Sequence, residues 1–483
     1  MLKKYGPYIA LLLMLALHLP FLQADPDGQM AWHSRGAYTD EGLYTAQIRN
    51  YINSGLFDIN QMDGFAKAPL LSLLLLPFLY LLGTHLWVAR LAVLLFSLGT
   101  THQLIKRYFA GITGYWAWAI IGLQYFVFNY SHFAMAEMMG ASCIVWAGML
   151  YAKYTQTMAV KHALLSALWL FMALGFKINY LYVLAILPIC MAISMGSHLI
   201  NKNYIGFKTT AKALTGVVGF YALMGAGVYW LVYYPNKGLY TKIVLQDVAV
   251  KFESGITNIT NRLVINTQWI ASQYPLSLLF ILCLLTGIAV LYIANTKPQQ
   301  PTKSHGLGLF FTCWAVLEIH KLLVQHLPAR YLVSSYLCLS ILLAWGCTII
   351  YKHNAKAAGW AIATIVLLIN GSYWVKAYNA RTFQIQALNN YIAATANNKR
   401  TMLGTWAPTA CWNSRNTTLP VWEGYFNDIG FMETHQPQAI ITEVDERDAG
   451  YIFSKRGINL KQQSDSIRVF RIAEWDVAVH WMK

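Results

Sequence analysis

Long apolar runs alternate with short polar segments through the first 376 residues, and this alternation is the dominant pattern in the chain. Runs at 5–22, 87–105, 112–130, 178–197, 214–234, 275–294, 331–350 and 358–375 each approach the ~20 residues a helix needs to cross ~30 Å of hydrocarbon. The first run reads as a retained span, because Ala24-Asp25-Pro26-Asp27 beyond it lacks a small-x-small cleavage site. Residues 68–83 are apolar but short and carry Pro69 and Pro77. A crossing there would invert every later loop, so the stretch is predicted to be a re-entrant or interfacial helix. Residues 163–176 are also short, but the basic segments on either side share one face of the membrane only if two spans separate them, which puts Lys177 at an outer turn. About 11 transmembrane helices follow, with the amino terminus inside and residues 377–483 outside.

Charge placement supports that topology. Lys3/Lys4, Lys106/Arg107, Lys153/Lys161, Lys202/Lys208/Lys212, Lys297/Lys303 and Lys352/Lys356 form short segments without any acid, the signature of cytoplasmic loops. The formal charge of +16 (36 basic minus 20 acidic) is therefore a topological signal, and no nucleic-acid partner is expected. A composition 57% hydrophobic and only 12% charged, against roughly 25% charged in soluble domains, excludes a soluble enzyme. Of the seven cysteines only Cys411 falls outside a span, so neither a disulfide framework nor a zinc cluster is implied.

The carboxyl-terminal stretch changes character. Charge is dense, and β-rich runs appear at 401–406, 439–444 and 467–472, with a helical segment Glu446–Lys455 closed by Gly457. The predicted fold class is thus an all-α polytopic membrane protein, residues 1–376, carrying a small extracytoplasmic α/β domain, residues 377–483. That domain is either a packing lid or an acceptor-recognition module, with Trp406, Trp412, Trp422 and Tyr425 as candidates for stacking on sugars. A stretch from Asp247 to Trp269 has apolar residues near helical spacing and suits a helix lying on the membrane.

The first outer loop, residues 23–86, holds the densest candidate chemistry. From Tyr38 a helix is expected, capped by Thr39, with Asp40 and Glu41 in its first turn where the helix dipole favours carboxylates. Its apolar face is Tyr44, Ile48, Tyr51 and Ile52, its end is Gly55, and it is expected to lie on the membrane surface. Lys67 follows at the head of the short apolar stretch, and the next outer loop offers His132 and Glu137. Lys177 lies at its outer turn, Arg330-Tyr331 opens a late span, and Glu318 has Lys321 one turn on, a self-satisfied ion pair. Asp25-Pro-Asp27-Gly spells a metal motif but reads first as a turn.

This order of parts resembles the GT-C class of polyprenyl-phosphate-sugar-dependent glycosyltransferases, the family of aminoarabinose and protein O-mannosyl transferases. The resemblance implies that Asp40, beside Glu41, is the catalytic base and that Lys67 contacts the lipid phosphate. Arg330, Tyr331 and Lys177 follow as further phosphate contacts, with Glu137 and His132 in the second outer loop. Relatives often carry Glu or His before that lysine, whereas this chain has Ala66 there and Ala68 in place of the first proline. No cofactor is required by this reading, and a divalent metal is left open without support. The chemistry agrees: outside the cytoplasm a transferase needs a membrane-borne activated donor, a base for the acceptor hydroxyl and fixed cations for the departing phosphate. An inverting transfer to a lipid, protein or glycan hydroxyl on the outer face of a bacterial inner membrane is expected. The alternatives are a ligase or oligosaccharyltransferase using a lipid diphosphate, and a transporter or flippase, against which the acids gather at the outer rim and no repeat is visible.

Overall fold

A computed structural model of the chain describes residues 2–28, 35–55, 57–109, 111–243, 256–273, 277–295, 305–325, 327–352 and 356–483. The helices run α1 Leu2–His18, α2 Gly36–Ser54, α3 Gly64–Lys67, α4 Pro69–Leu82, α5 Leu86–Tyr108, α6 Ile112–Ala117, α7 Tyr125–Ser131, α8 Ala136–Thr157 and α9 Val160–Phe176. They continue as α10 Ile186–Ile200, α11 Tyr204–Val228, α12 Ile256–Ser272, α13 Leu278–Asn295, α14 His305–Glu318, α15 Val333–Lys352, α16 Lys356–Asn379 and α17 Gln384–Thr395. Among the described residues six helices are long and apolar enough to cross a membrane, or seven if the pair α7 and α8, bent by 108°, is one broken span. Shorter apolar helices occupy Gly6–Phe21, Pro69–Leu82, Val160–Phe176 and Leu278–Val290. Unbroken helices are fewer than the apolar runs because several runs are interrupted. The run at 112–130 breaks into α6, a π-turn at Trp118–Gly122 and α7, and a 3₁₀ stretch Ile178–Ala185 precedes α10.

The chain divides into two compact units. One comprises Met1–Leu17, Leu95–Ser131 and Glu137–Lys376; the other His18–Leu94, His132–Ala136 and Ala377–Lys483. In the first unit many large apolar side chains are exposed on the helix faces. On α12 Ile259, Leu263 and Ile265 are exposed while Arg262 and Asn266 are buried, and Asn266 donates to the Leu322 and Val324 carbonyls at 2.8 Å each. The expected start of this helix at Asp247 lies outside the described residues, as do Lys297 and Lys303.

The second unit is built on a mixed sheet of β1 Thr401–Leu403, β2 Thr417–Leu419, β3 Ala439–Glu443, β4 Ser464–Ile472 and β5 Trp475–Met482. Its order is β2-β1-β3-β5-β4, parallel on the β2-β1-β3 side and antiparallel through β5 and β4. The expected helix Glu446–Lys455 is instead a 3₁₀ turn, Arg447–Ala449, and a four-residue helix, Ile452–Lys455, because Gly450 at φ +70° breaks it.

Helix α2 departs most from expectation. It does not lie on a surface: nearly every residue from Gly36 to Asn50 is buried. Its polar residues bind backbone of the carboxyl-terminal part. Arg49 donates to the carbonyls of Pro408 (2.5 Å) and Cys411 (3.2 Å) and stacks 4.0 Å above Trp412. The Asn50 amide exchanges two 2.9 Å hydrogen bonds with the backbone of Thr418, covering the edge of β2 as a further strand would. Gly42 allows this docking, since a Cβ there would stand 2.7 Å from the backbone of Pro408 and Thr409. Ala46 and Met62 complete a core with Leu403, Leu419, Ile440 and Phe453.

Candidate active site

In the second unit, α2 begins one turn earlier than predicted. Arg35 is its N-cap residue, and Thr39 does not cap it but donates back to the Arg35 carbonyl at 3.2 Å. Asp40 and Glu41 therefore stand in the second turn, where the dipole contributes little. Arg35 sets that start: its guanidinium donates to Glu443 at 3.2 Å and to the Asp448 carbonyl at 2.9 Å. Around it, Asp448 accepts from the Thr405 and Thr442 hydroxyls, and burial pushes its carboxyl up to about 7. Burial also raises the Glu443 carboxyl, opposed by Arg35.

Asp40 and Glu41, adjacent in sequence, have different surroundings because neighbours on a helix point ~100° apart. Glu41 is buried and forked against Arg90 at 2.9 and 2.5 Å, and it accepts the Ala134 amide at 2.6 Å. Arg90 also donates to the carbonyls of Phe21 and Ala24. This pair ties α2 to α5, to the end of the first span and to the segment 132–136, a bracing geometry. Asp40 is 9% exposed on the next position of the helix. His132 meets His18 with their Nδ1 atoms 3.0 Å apart and stacks on Phe21. Lys67 pairs with Asp63 at 2.5 Å and lies 5.7 Å over the Tyr425 ring, whose hydroxyl donates to the same Asp63 carboxylate at 2.6 Å.

One sequence expectation is corrected here. Trp406 and Trp412 are fully buried and pack the interior, Trp406 donating to Glu443 and Trp412 lying under Arg49, so neither can stack on a sugar. Asp25 spends its carboxylate on the start of α17, accepting from the Thr382 hydroxyl and the Gln384 and Ile385 amides at 2.7 to 2.9 Å. Among the described residues no group of three or more His, Cys, Asp or Glu side chains is placed to hold a metal ion.

In the first unit, Glu137, Lys177, Arg330 and Tyr331 converge. Lys177, in the extended break between α9 and the 3₁₀ stretch, forms a buried ion pair with Glu137. The Arg330 Nε lies 3.4 Å from the same carboxylate oxygen. Tyr331 is flanked by both cations, with Lys177 5.2 Å and Arg330 5.4 Å from its ring centre, a cation–π arrangement. Tyr180 donates to the Glu137 carbonyl at 2.8 Å. Gly140 admits it: a Cβ there would stand 2.3 Å from the Tyr180 ring.

The Glu318–Lys321 ion pair expected from i,i+3 spacing forms at 2.6 Å. It also does more than satisfy itself. Lys321 donates to the Tyr331 carbonyl at 2.7 Å, and Glu318 accepts from Ser334, Ser335 and Trp314, so the pair fixes the turn that carries Arg330 and Tyr331. Sequence reasoning passed over Arg90, Tyr180 and this network. Arg90 did leave a signal, a lone guanidinium inside an apolar run, which demands a partner.

The fold is that of ArnT from Cupriavidus metallidurans. The crystal structure of that protein bound to undecaprenyl phosphate matches over 98% of each chain with a TM-score of 0.56 at 16% identity. Its apo-state structure aligns with a TM-score of 0.42 at 13% identity, covering 99% of this chain and 98% of that one. The GT-C architecture expected from the order of parts is thereby present, while no protein-family model and no curated protein matches the sequence.

Proposed function

We propose that this protein is an inverting glycosyltransferase that moves a sugar from a polyprenyl-phosphate donor to a hydroxyl acceptor at the outer face of a bacterial inner membrane. The observation that carries the proposal is the convergence of Lys177 and Arg330 on the single carboxylate of Glu137 in a chain with the fold of a protein crystallised with undecaprenyl phosphate. A lipid phosphate is the natural competitor for that carboxylate. Two cations that already hold one carboxylate, Lys177 buried and Arg330 part-buried, can exchange it for another anion with little new desolvation. In the proposed reaction Lys177 and Arg330 stabilise the phosphate as the anomeric C–O bond breaks. Lys67 is assigned to the same class of contact, exchanging its Asp63 partner in the same way. Asp40 accepts the proton of the acceptor hydroxyl as its oxygen attacks the anomeric carbon. A single displacement without a covalent intermediate inverts that centre. Glu41 is assigned the bracing role its contact with Arg90 supports, and Glu137 holds the cations when the donor is absent.

The test is transfer by purified, reconstituted protein from synthetic undecaprenyl-phosphate sugars and from their diphosphate counterparts, with envelope glycans and lipids compared by mass spectrometry between cells with and without the gene. Turnover of a monophosphate donor with inverted product is expected. Turnover of diphosphate donors only would transfer the proposal to a glycan ligase, and lipid movement without transfer would replace it by a flippase.

A further inference from the structure

One cavity of the first unit is not used by the proposed reaction. It is a partly open cavity of about 830 Å³ among the ends of α8, α10, α11, α13, α14 and α15, where the short basic segments Lys153/Lys161 and Lys202/Lys208/Lys212 join the helices. Its polar lining includes hydroxyls, imidazoles and one amide: Thr155, Gln156, Ser194, His198, Thr210 and His305. No acid lines it, and Lys153, Lys202 and Lys208, each within four residues of a lining position, are exposed. Its remaining wall is apolar, including Ile193, Val290, Leu309 and Trp345. Ile193 is also exposed on the outer face of α10, in line with exposed Ile189 and Ile200, and Val290 is exposed on α13. At Ile193 the cavity is therefore continuous with the exposed apolar face of α10.

We infer that this cavity is a binding site for an anionic phospholipid, with the phosphate and glycerol among the imidazoles and hydroxyls at the lysine-rich end and an acyl chain leaving over Ile193 and Val290. Three features favour a lipid over a soluble anion. The volume exceeds what a phosphate fills, an apolar wall reaches the exposed face of α10 at Ile193, and polar and apolar side chains share the lining, as an amphiphile requires. The surrounding lysines supply the attraction for a negative headgroup. Two glycines let the walls approach closely: a Cβ at Gly306 would stand 2.2 Å from the Thr155 hydroxyl, and one at Gly308 2.6 Å from the Trp345 ring.

The inference is independent of the proposed transferase chemistry and is tested by binding. Delipidated full-length protein in detergent is titrated with phosphatidylglycerol, phosphatidylcholine and inorganic phosphate, with bound lipid counted by native mass spectrometry and the melting temperature read in parallel. A saturable phosphatidylglycerol adduct is expected, with phosphatidylcholine weaker by at least about tenfold, the equivalent of about 1.4 kcal/mol, and no shift from inorganic phosphate. Ser194→Trp, which fills the cavity, should abolish that adduct. His198→Ala combined with His305→Ala, at the cavity's polar end, should weaken it by about tenfold while leaving the apo melting temperature near the wild-type value, which covers the case that the tryptophan variant fails to fold. Equal binding by wild-type and both variants would reduce the lipid to ordinary annular contact and overturn the inference. So would equal stabilisation by inorganic phosphate, which would make this a soluble-anion site.

Discussion

At the scale of single residues, neighbouring carboxylates on α2 have been given different work by their surroundings. Glu41 is forked against a buried guanidinium, and breaking such a pair leaves a buried charge uncompensated at a cost of about 3–5 kcal/mol. Glu41→Gln should therefore lower the melting temperature by several degrees, and any loss of transfer should follow the loss of folded protein. Asp40→Asn should do the reverse, leaving stability and donor binding nearly intact while cutting transfer by about 10²-fold or more, the scale for a lost general base. Turnover assays paired with thermal melts separate the two, and near-normal turnover in Asp40→Asn would remove it as the base. For the cations the expected readout is binding of bare undecaprenyl phosphate. Lys177→Met or Arg330→Met should weaken it by tenfold or more, because each removes one of the two cations held beside Glu137 and with it a charge-assisted contact to the phosphate, whereas unchanged affinity in both would return them to holding Glu137 alone.

At the scale of elements, α2 is anchored by its polar side. Gly42 touches the backbone of Pro408 and Thr409 so closely that Gly42→Ala must displace one element, and overpacking of this kind costs about 1–3 kcal/mol. A drop in melting temperature is expected without a change in the donor's Kd. The Asp448 cluster at the Arg35 end of α2 makes a prediction in pH. Burial holds the folded carboxyl at about 7, above its ordinary 3.8, so between these values the folded protein binds a proton that the unfolded chain has released. Stability from this group is complete near pH 4, falls as pH rises toward 7, and is flat above it. Asp448→Asn should flatten the difference in melting temperature over that window, and a variant with the wild-type slope would assign the dependence elsewhere.

At the scale of the whole molecule, the basic segments predict orientation. Reporter tags after Lys106, Lys208 or Lys352 are expected in the cytoplasm, and tags near Asp63 or at the carboxyl terminus outside. An outward report at Lys106 would mean that residues 68–83 cross the membrane and would invert every later loop. The two compact units interleave in sequence, each drawing on several separate stretches of the chain, so a truncation at residue 377 would remove most of the core that buries α2 rather than detach a free-standing appendage.

What the amino-acid sequence determined by itself is whatever depends on the local medium and on near neighbours. Apolar runs report hydrocarbon thickness whatever they pack against, Gly55 ends α2 with φ +75° as its position required, and Glu318 finds Lys321 because three residues on a helix place them on one face. The tertiary structure decided the rest, because its partners are far apart along the chain. Glu137 meets Lys177 and Arg330 across 40 and 193 residues, and Glu41 meets Arg90 across 49. It also decided which way faces turn. A pattern of polar and apolar positions fixes a stripe but not the solvent beyond it, so the same periodicity that suggested α2 lying on a surface describes a helix whose polar stripe binds backbone carbonyls in an interior, and α12 exposes Ile259 and Ile265 while burying Arg262 and Asn266.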